Sequence, residues 1–191
     1  MTFTNKAPHP TYKELIIETS SPTYKELLST QEWQSRRKEI IKRDGNKCSK
    51  CETTATSSQY NKNTGKYDHF WFGENEFQEV RHPNGRIEYT NYPKVIFARE
   101  MVNLHVHHNY YVEGKLPWEY EDHALITLCN TCHSDLHEEE TIPVYSSDGR
   151  KIPKLTLCSR CNGAGYLKEF NYHLSGICFE CNRSRFINYS L

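Results

Sequence analysis

Ten histidines and eight cysteines are the side chains of this sequence best suited to chemistry, and neither set is scattered. The cysteines fall into four pairs at one spacing: Cys48/Cys51, Cys129/Cys132, Cys158/Cys161 and Cys178/Cys181. Two thiolates on one tight C-x2-C knuckle fill two corners of a tetrahedral Zn2+, and a second knuckle fills the other two. A disulfide framework has no reason to repeat one spacing four times, so reduced thiolates holding metal are expected. The last two pairs form C-x2-C-x16-C-x2-C, inside the usual zinc-ribbon window; a redox dithiol is the other reading of such a knuckle. If those pairs serve each other, Cys48, Cys51, Cys129 and Cys132 are left to share a second zinc. On spacing alone an interleaved pairing stays open.

Six histidines lie between positions 105 and 137: His105, His107, His108, His123, His133 and His137. His133 and His137 are four apart, which on a helix puts both imidazoles on one face, about one turn apart, where they can chelate one divalent metal. His107 and His108 are adjacent in an apparent strand, so alternation sends them to opposite faces. That division suits metal-assisted hydrolysis of a phosphodiester: the metal stabilises charge on the phosphate while a neighbouring neutral imidazole takes a proton from attacking water. A histidine titrating near ~6.5 is well placed for that task. The bland readings are an H-x3-H that belongs to the structural zinc, or imidazoles that are merely packed; for His105 and His123 the bland reading is preferred.

The elements that must position these groups are legible in outline. The segment 1–22 reads as extended and carries PTYKEL at Pro10–Leu15, echoed at Pro22–Leu27. The second copy opens a helix capped by Ser21 or Thr23 and running to Arg43, where Asp44-Gly45 ends it. Its Arg36, Arg37, Lys38, Lys42 and Arg43 read as a solvated face, with Arg36, Arg37, Lys42 and Arg43 as candidate DNA contacts. Across 52–103 aromatic and β-branched runs flank Pro83-Asn84-Gly85, a hairpin signal, and the aromatics read as packing residues rather than a base-stacking platform. From Leu104 the pattern is strand (LHVHHNYYV), turn, strand (Ala124 to Leu128) and helix (Thr131 to Glu139), with Glu138 to Glu140 as a solvated helix end. The chain therefore divides into 1–22, a domain at 23–142 with an insertion at 52–103, and a ribbon at 143–191.

Hydrophobic residues make up only 36% of the 191 residues and the mean hydropathy is −0.82, a thin core that needs metal staples. No stretch approaches the ~18 to 20 apolar residues of a membrane span, and Met1 to Pro10 has no signal-peptide core, so a cytoplasmic protein without membrane contact is expected. Lys+Arg and Asp+Glu are both 24; with no net charge, any polyanion site must be a local patch.

Cys48-x2-Cys51, LHVHH, PWEY with Asp122, and LITLCNTCHSDLH together resemble the HNH endonucleases, the ββα-metal nuclease superfamily, over about Tyr24 to Glu139. The resemblance implies a β-hairpin and helix clamping one catalytic divalent ion, Mg2+ or another. It makes His108 the general base and His107, His133 and His137 the metal ligands. Cys48, Cys51, Cys129 and Cys132 then form a structural zinc site, and cleaved DNA carries 5′-phosphate ends. Where the family has its middle Asn, this chain has Ala124, with Asp122, His123 or Asn130 as substitutes, and the 52–103 spacer is long for the family, an insertion that could shape substrate choice. CSRCNGAGY at Cys158 to Tyr166 resembles one repeat of the cysteine-rich zinc domain of J-domain co-chaperones, but CFECNRSRF lacks the matching Gly-x-Gly, so the resemblance implies zinc on Cys158, Cys161, Cys178 and Cys181 and no chaperone activity. Arg160 and Lys168, among further basic and aromatic side chains, make the ribbon a candidate DNA-contacting surface. The expected protein is α+β: a ββα-metal core with a four-cysteine zinc, an inserted hairpin and a small C-terminal zinc ribbon, acting on DNA. The alternative is a non-catalytic zinc-ribbon module that binds nucleic acid or a protein.

Overall fold

A computed structural model describes residues 9–19, 22–152, 155–161, 163–165, 167–170, 172–173, 176–182 and 185–187. The chain forms two compact units, one from Met1–Thr53 with Leu104–Leu191, the other from Thr54–Asn103. The architecture is mixed α and β.

The PTYKEL echo is two copies of one helix start. In α1 (Tyr12–Glu18) Thr11 caps the helix and Glu14 reaches back to the Thr11 N–H; in α2 (Tyr24–Leu27) Thr23 and Glu26 repeat this capping box. The segment expected to be extended over 1–22 is thus helical at Tyr12–Glu18, with Leu15 buried. The helix expected to run unbroken to Arg43 is interrupted after α2. Ser29 Oγ donates to the Glu26 carbonyl at 2.6 Å and Thr30 Oγ1 to the Leu27 carbonyl at 2.8 Å. Such side-chain bonds compete with the helical ladder. Thr30, fully buried, then caps α3 (Gln31–Arg43) by accepting the Trp33 N–H. Of the expected caps, Ser21 lies outside the described residues.

The second unit is an antiparallel sheet, β1 (Ser57–Asn61), β2 (Lys66–Arg81) and β3 (Ile87–Ala98), in the order β1-β2-β3. β2 and β3 join through the Asn84-Gly85 turn, where Gly85 adopts φ +80° and Asn84 Oδ1 accepts the Arg86 N–H. The aromatics expected to pack are largely exposed: Phe77 at 77%, Tyr89 at 70% and Phe97 at 69%. The hairpin has two faces and only three strands, so there is no second layer within this unit to cover them.

In the first unit β4 (Leu104–His108) pairs antiparallel with β6 (Leu125–Cys129), His107 opposite Ile126 and His108 opposite Leu125, and α4 (Asn130–Glu139) follows β6 without a loop. The strand expected through Val112 breaks at Asn109, because Asn109 N–H donates to the Ala124 carbonyl and its side-chain amide to the His123 carbonyl. β5 (Tyr111–Val112) then pairs in parallel with β7 (Val144–Tyr145). Ile40, Tyr120, Ala124 and Leu125 form one small core. Tyr24, Tyr111, Ile142, Val144 and Phe186 form another, which binds the C-terminal segment into the same unit. Among the described residues no helix is long and apolar enough to cross a membrane.

A buried cap that begins the longest helix is a single point of failure. Thr30→Val, which keeps the shape and removes the hydroxyl, is expected to lower unfolding stability by ~1–2 kcal/mol in a denaturant titration, with metal content unchanged; a shift below a few tenths would show that the cap is dispensable.

Candidate metal centre

Among the described residues, three groups of side chains bring their ligand atoms within 4.8 Å of one another: Cys48, Cys51, Cys129 and Cys132; Cys158, Cys161, Cys178 and Cys181; and His107, His133 and His137. The cysteine pairing left open by spacing is thereby decided, and the interleaved alternative is not what the fold adopts. Cys51 and Cys129 sulfurs are 3.7 Å apart, Cys158 and Cys178 are 3.8 Å, and Cys161 and Cys181 are 3.6 Å. Sulfurs at the corners of a tetrahedron with Zn–S ~2.3 Å lie about 3.8 Å apart, whereas a disulfide needs ~2.05 Å. All eight cysteines are free thiols, and both clusters are compatible with structural zinc.

The first cluster is built at the junction of β6 with α4, the helix that carries His133 and His137. Cys129 ends β6 and its sulfur accepts the Cys132 N–H at 3.4 Å, capping α4. Ser49 N–H donates to the Thr127 carbonyl, tying the first knuckle to β6. Burial opposes charge on Cys51, yet bonds from Thr53 draw its thiol down to about 6. Burial pushes Cys129 and Cys132 upward, Cys132 strongly. Buried thiolates packed together in this way require a cation to be stable.

His107 projects from β4 toward α4, its ring centroid 5.3 Å from that of His133 and 4.9 Å from that of His137, while those two are 4.8 Å apart. His107 Nε2 is buried without a hydrogen-bond partner among the described residues, the condition of a nitrogen that serves a metal. Burial, with the Arg185 charge and the neighbouring imidazoles, drives His107 and His137 far below the ordinary histidine value. Both are neutral with lone pairs available, which is what ligation requires. His105 stacks on His133 at 5.3 Å, beside the trio rather than in it; His123 is exposed and contributes its carbonyl to Asn109.

His108 faces the other way. It is 2% exposed, stacked on Trp33 at 5.1 Å and 21°, with Tyr120 and Tyr111 at 4.7 and 5.3 Å. Its Nε2 lies 2.9 Å from the Pro117 carbonyl. A carbonyl only accepts, so Nε2 carries the proton and Nδ1 keeps the lone pair, 3.5 Å from Tyr24 Oη. Burial, aided by Arg185 and opposed by the Pro117 bond, pushes its pKa down to about 4. His108, His107 and His133 nevertheless line one cavity of about 100 Å³.

The basic face of α3 is divided: Lys38, Lys42 and Arg43 are exposed, as the sequence suggests, while Arg36 and Arg37 are half-buried. Arg36 donates to the Tyr120 carbonyl and Asp122, Arg37 to the Leu104 carbonyl at 2.6 Å, and Arg43 to the Asp122 and Leu125 carbonyls. These three guanidinium groups hold the β4–β6 pair and the Tyr120–Asp122 segment against α3. Lys42 and Arg160 are exposed, and the side chain of Lys168 lies outside the described residues. Two further residues matter here. Asn109 follows the His-His pair directly and ties down the loop at His123 and Ala124. Arg185 reaches the trio from the C-terminal segment, with Nη2 3.2 Å from both His137 ring nitrogens; the sequence marks it only as one of the basic side chains of the ribbon.

No family model, curated protein or solved structure matches this chain, so its functional reading rests on the chemistry of these groups.

Two outcomes follow from this geometry. Elemental analysis is expected to find two chelator-resistant zincs and one exchangeable divalent ion per chain, with Cys178→Ser losing one zinc and His133→Ala only the exchangeable ion; two zincs and no third ion would leave the trio purely structural. Because folding lowers the His108 pKa from ~6.5 to about 4, the stability it leaves intact above pH ~6.5 is lost as pH falls toward 4, up to roughly 3 kcal/mol. The unfolding free energies of wild type and His108→Gln should therefore converge by about 1 kcal/mol between pH 7 and pH 5.5, and a constant difference would mean that His108 is not held neutral.

Proposed function

We propose that the chain is a metal-dependent endonuclease of the HNH type that hydrolyses phosphodiester bonds in DNA, with two structural zincs. The observation that carries this reading is the convergence of His107 from β4 with His133 and His137 from α4, beside a second, neutral imidazole, His108, in the wall of the same cavity. His107, His133 and His137 would hold a divalent ion, which would supply Lewis-acid charge for a scissile phosphate. An all-imidazole donor set suits Zn2+ or Ni2+ better than Mg2+, which prefers carboxylate and water oxygens. The expectation of Mg2+ or another divalent ion therefore narrows to a transition metal.

His108 supplies the base. The Pro117 carbonyl holds its proton on Nε2, so Nδ1 is the nitrogen that takes a proton from water. Its lowered pKa keeps it unprotonated through neutral pH. Trp33, Tyr111 and Tyr120 hold the ring so that it arrives in one orientation. Asn109 fixes the chain immediately after the base by bonding both the His123 and Ala124 carbonyls, which is the bracing that a middle Asn would give. DNA as the substrate follows from the resemblance of the motifs; the C-terminal cysteine segment is read as a zinc ribbon on the same footing.

The test is nicking of supercoiled plasmid with Mg2+, Mn2+, Ni2+ or Zn2+, wild type beside His108→Gln of equal zinc content and circular dichroism. A loss of ~100- to 10,000-fold in the variant is expected; equal activity would remove His108 from the mechanism. No cleavage by wild type with any metal, on duplex or single-stranded DNA, would assign the chain to the non-catalytic zinc-bearing binding modules instead.

A further inference from the structure

Arginine is almost never buried unless paired, yet Arg185 is 4% exposed and no carboxylate among the described residues pairs with it. Its Nε donates to the Gly163 carbonyl at 2.9 Å. Its guanidinium lies 4.3 Å over the Tyr111 ring, Nη2 rests against His137, and Nη1 is buried with no hydrogen-bond partner among the described residues. The backbone is bent to deliver it: Arg185 sits at φ +75°, in the left-handed region that a long side chain adopts only when its surroundings impose it. Those surroundings are the second cysteine cluster, since the Arg185 carbonyl accepts the Cys158 N–H and the Leu157–Phe186 bridge spans the same point.

Arg185 also lines the cavity that His107, His108 and His133 line, together with Arg37 and His105, and no carboxylate is among the lining residues. A pocket walled by two guanidinium groups and neutral imidazoles is complementary to an anion. Its volume of about 100 Å³ leaves room for a small anion such as a phosphoryl group. Any cation held by the imidazole trio would face the Arg185 charge across His137. Like charges so close repel unless an anion lies between them.

We propose that this cavity is an oxyanion subsite in which Arg185, supplied by the C-terminal cysteine segment, receives a non-bridging oxygen of a phosphoryl group next to the imidazole trio. As part of the proposed nuclease, Arg185 binds the scissile phosphodiester and stabilises the charge that develops on it, so the C-terminal segment completes the active site rather than capping the fold. This role rests on the nuclease reading; the anion site itself does not. Anion and divalent ion bind cooperatively, each relieving the charge left by the other.

The experiment is calorimetric titration of inorganic phosphate into full-length, metal-loaded wild type, Arg185→Lys and Arg185→Met, each with zinc content checked, followed by the same titration in the presence of a short DNA duplex. Phosphate affinity is expected to fall at least tenfold in Arg185→Met and less in Arg185→Lys, which keeps the charge but loses the planar fork. Phosphate should also raise metal affinity in wild type and not in Arg185→Met. Should Arg185→Met lose zinc, the Arg185 side-chain N–H resonances of wild type, assigned with Arg185→Lys, are followed instead and must shift on phosphate addition. Unchanged phosphate affinity in a zinc-replete Arg185→Met, or resonances that do not move, overturns the proposal. Competition by the duplex assigns the oxyanion to a phosphodiester, and kcat for cleavage should then drop ~100- to 1,000-fold in Arg185→Met. Binding of phosphate that the duplex does not disturb supports the anion site and overturns its place in cleavage. Phosphate binding in a protein that cleaves nothing retains the site and rejects the nuclease; cleavage with unaltered phosphate binding in Arg185→Met does the reverse.

Discussion

Cys129 does three things at once, and the geometry of the site depends on their coincidence. It is the last residue of β6, the N-cap of α4 and a member of the first cysteine cluster. Its sulfur accepts the Cys132 N–H, so whatever fixes that sulfur also fixes where α4 begins. His133 and His137 are then one and two turns into a helix whose origin cannot slide, and β6 carries β4, with His107, in fixed register beside them. A helix of ten residues has little intrinsic stability in water. Anchoring its first turn to a strand and a four-sulfur cluster substitutes for the apolar burial that this polar chain lacks.

The two faces of β4 divide the chemistry. On one, His107 meets α4 in a desolvated cluster of imidazoles. On the other, His108 is clamped among Trp33, Tyr111 and Tyr120 with its tautomer chosen by the Pro117 carbonyl. The arginines of α3 serve this arrangement from outside: Arg36, Arg37 and Arg43 satisfy carbonyls at both ends of the β4–β6 pair and so prevent it from moving against Trp33. Part of the charge that looks available for a polyanion in the sequence, that of Arg36, Arg37 and Arg43, is engaged in holding the fold, and Arg185 and Arg37 line the cavity beside the imidazoles.

The sequence by itself determined the inventory of ligands and much of their local geometry. C-x2-C forms a knuckle wherever it occurs, and an H-x3-H on a helix must share a face, because both follow from short-range backbone geometry. The T-x-x-E starts of α1 and α2 and the Asn84-Gly85 turn are equally local, being set by one or two hydrogen bonds between near neighbours. Where such signals competed, local reading failed: nothing in the periodicity of 23–43 reveals that Ser29 takes the Glu26 carbonyl and Thr30 the Leu27 carbonyl and so divide the helix.

Only the tertiary structure decided which knuckles share a cluster, that Asn109 ties down the loop at His123 and Ala124, and that aromatics of the Thr54–Asn103 sheet are exposed. It also decided the place of Arg185. In the sequence that residue is one of several basic side chains in a cysteine-rich segment. Its left-handed backbone, its burial and its approach to His137 arise from groups distant in the chain. Desolvation and charge juxtaposition are properties of the packed whole, and they carry no signature in the spacing of neighbouring residues.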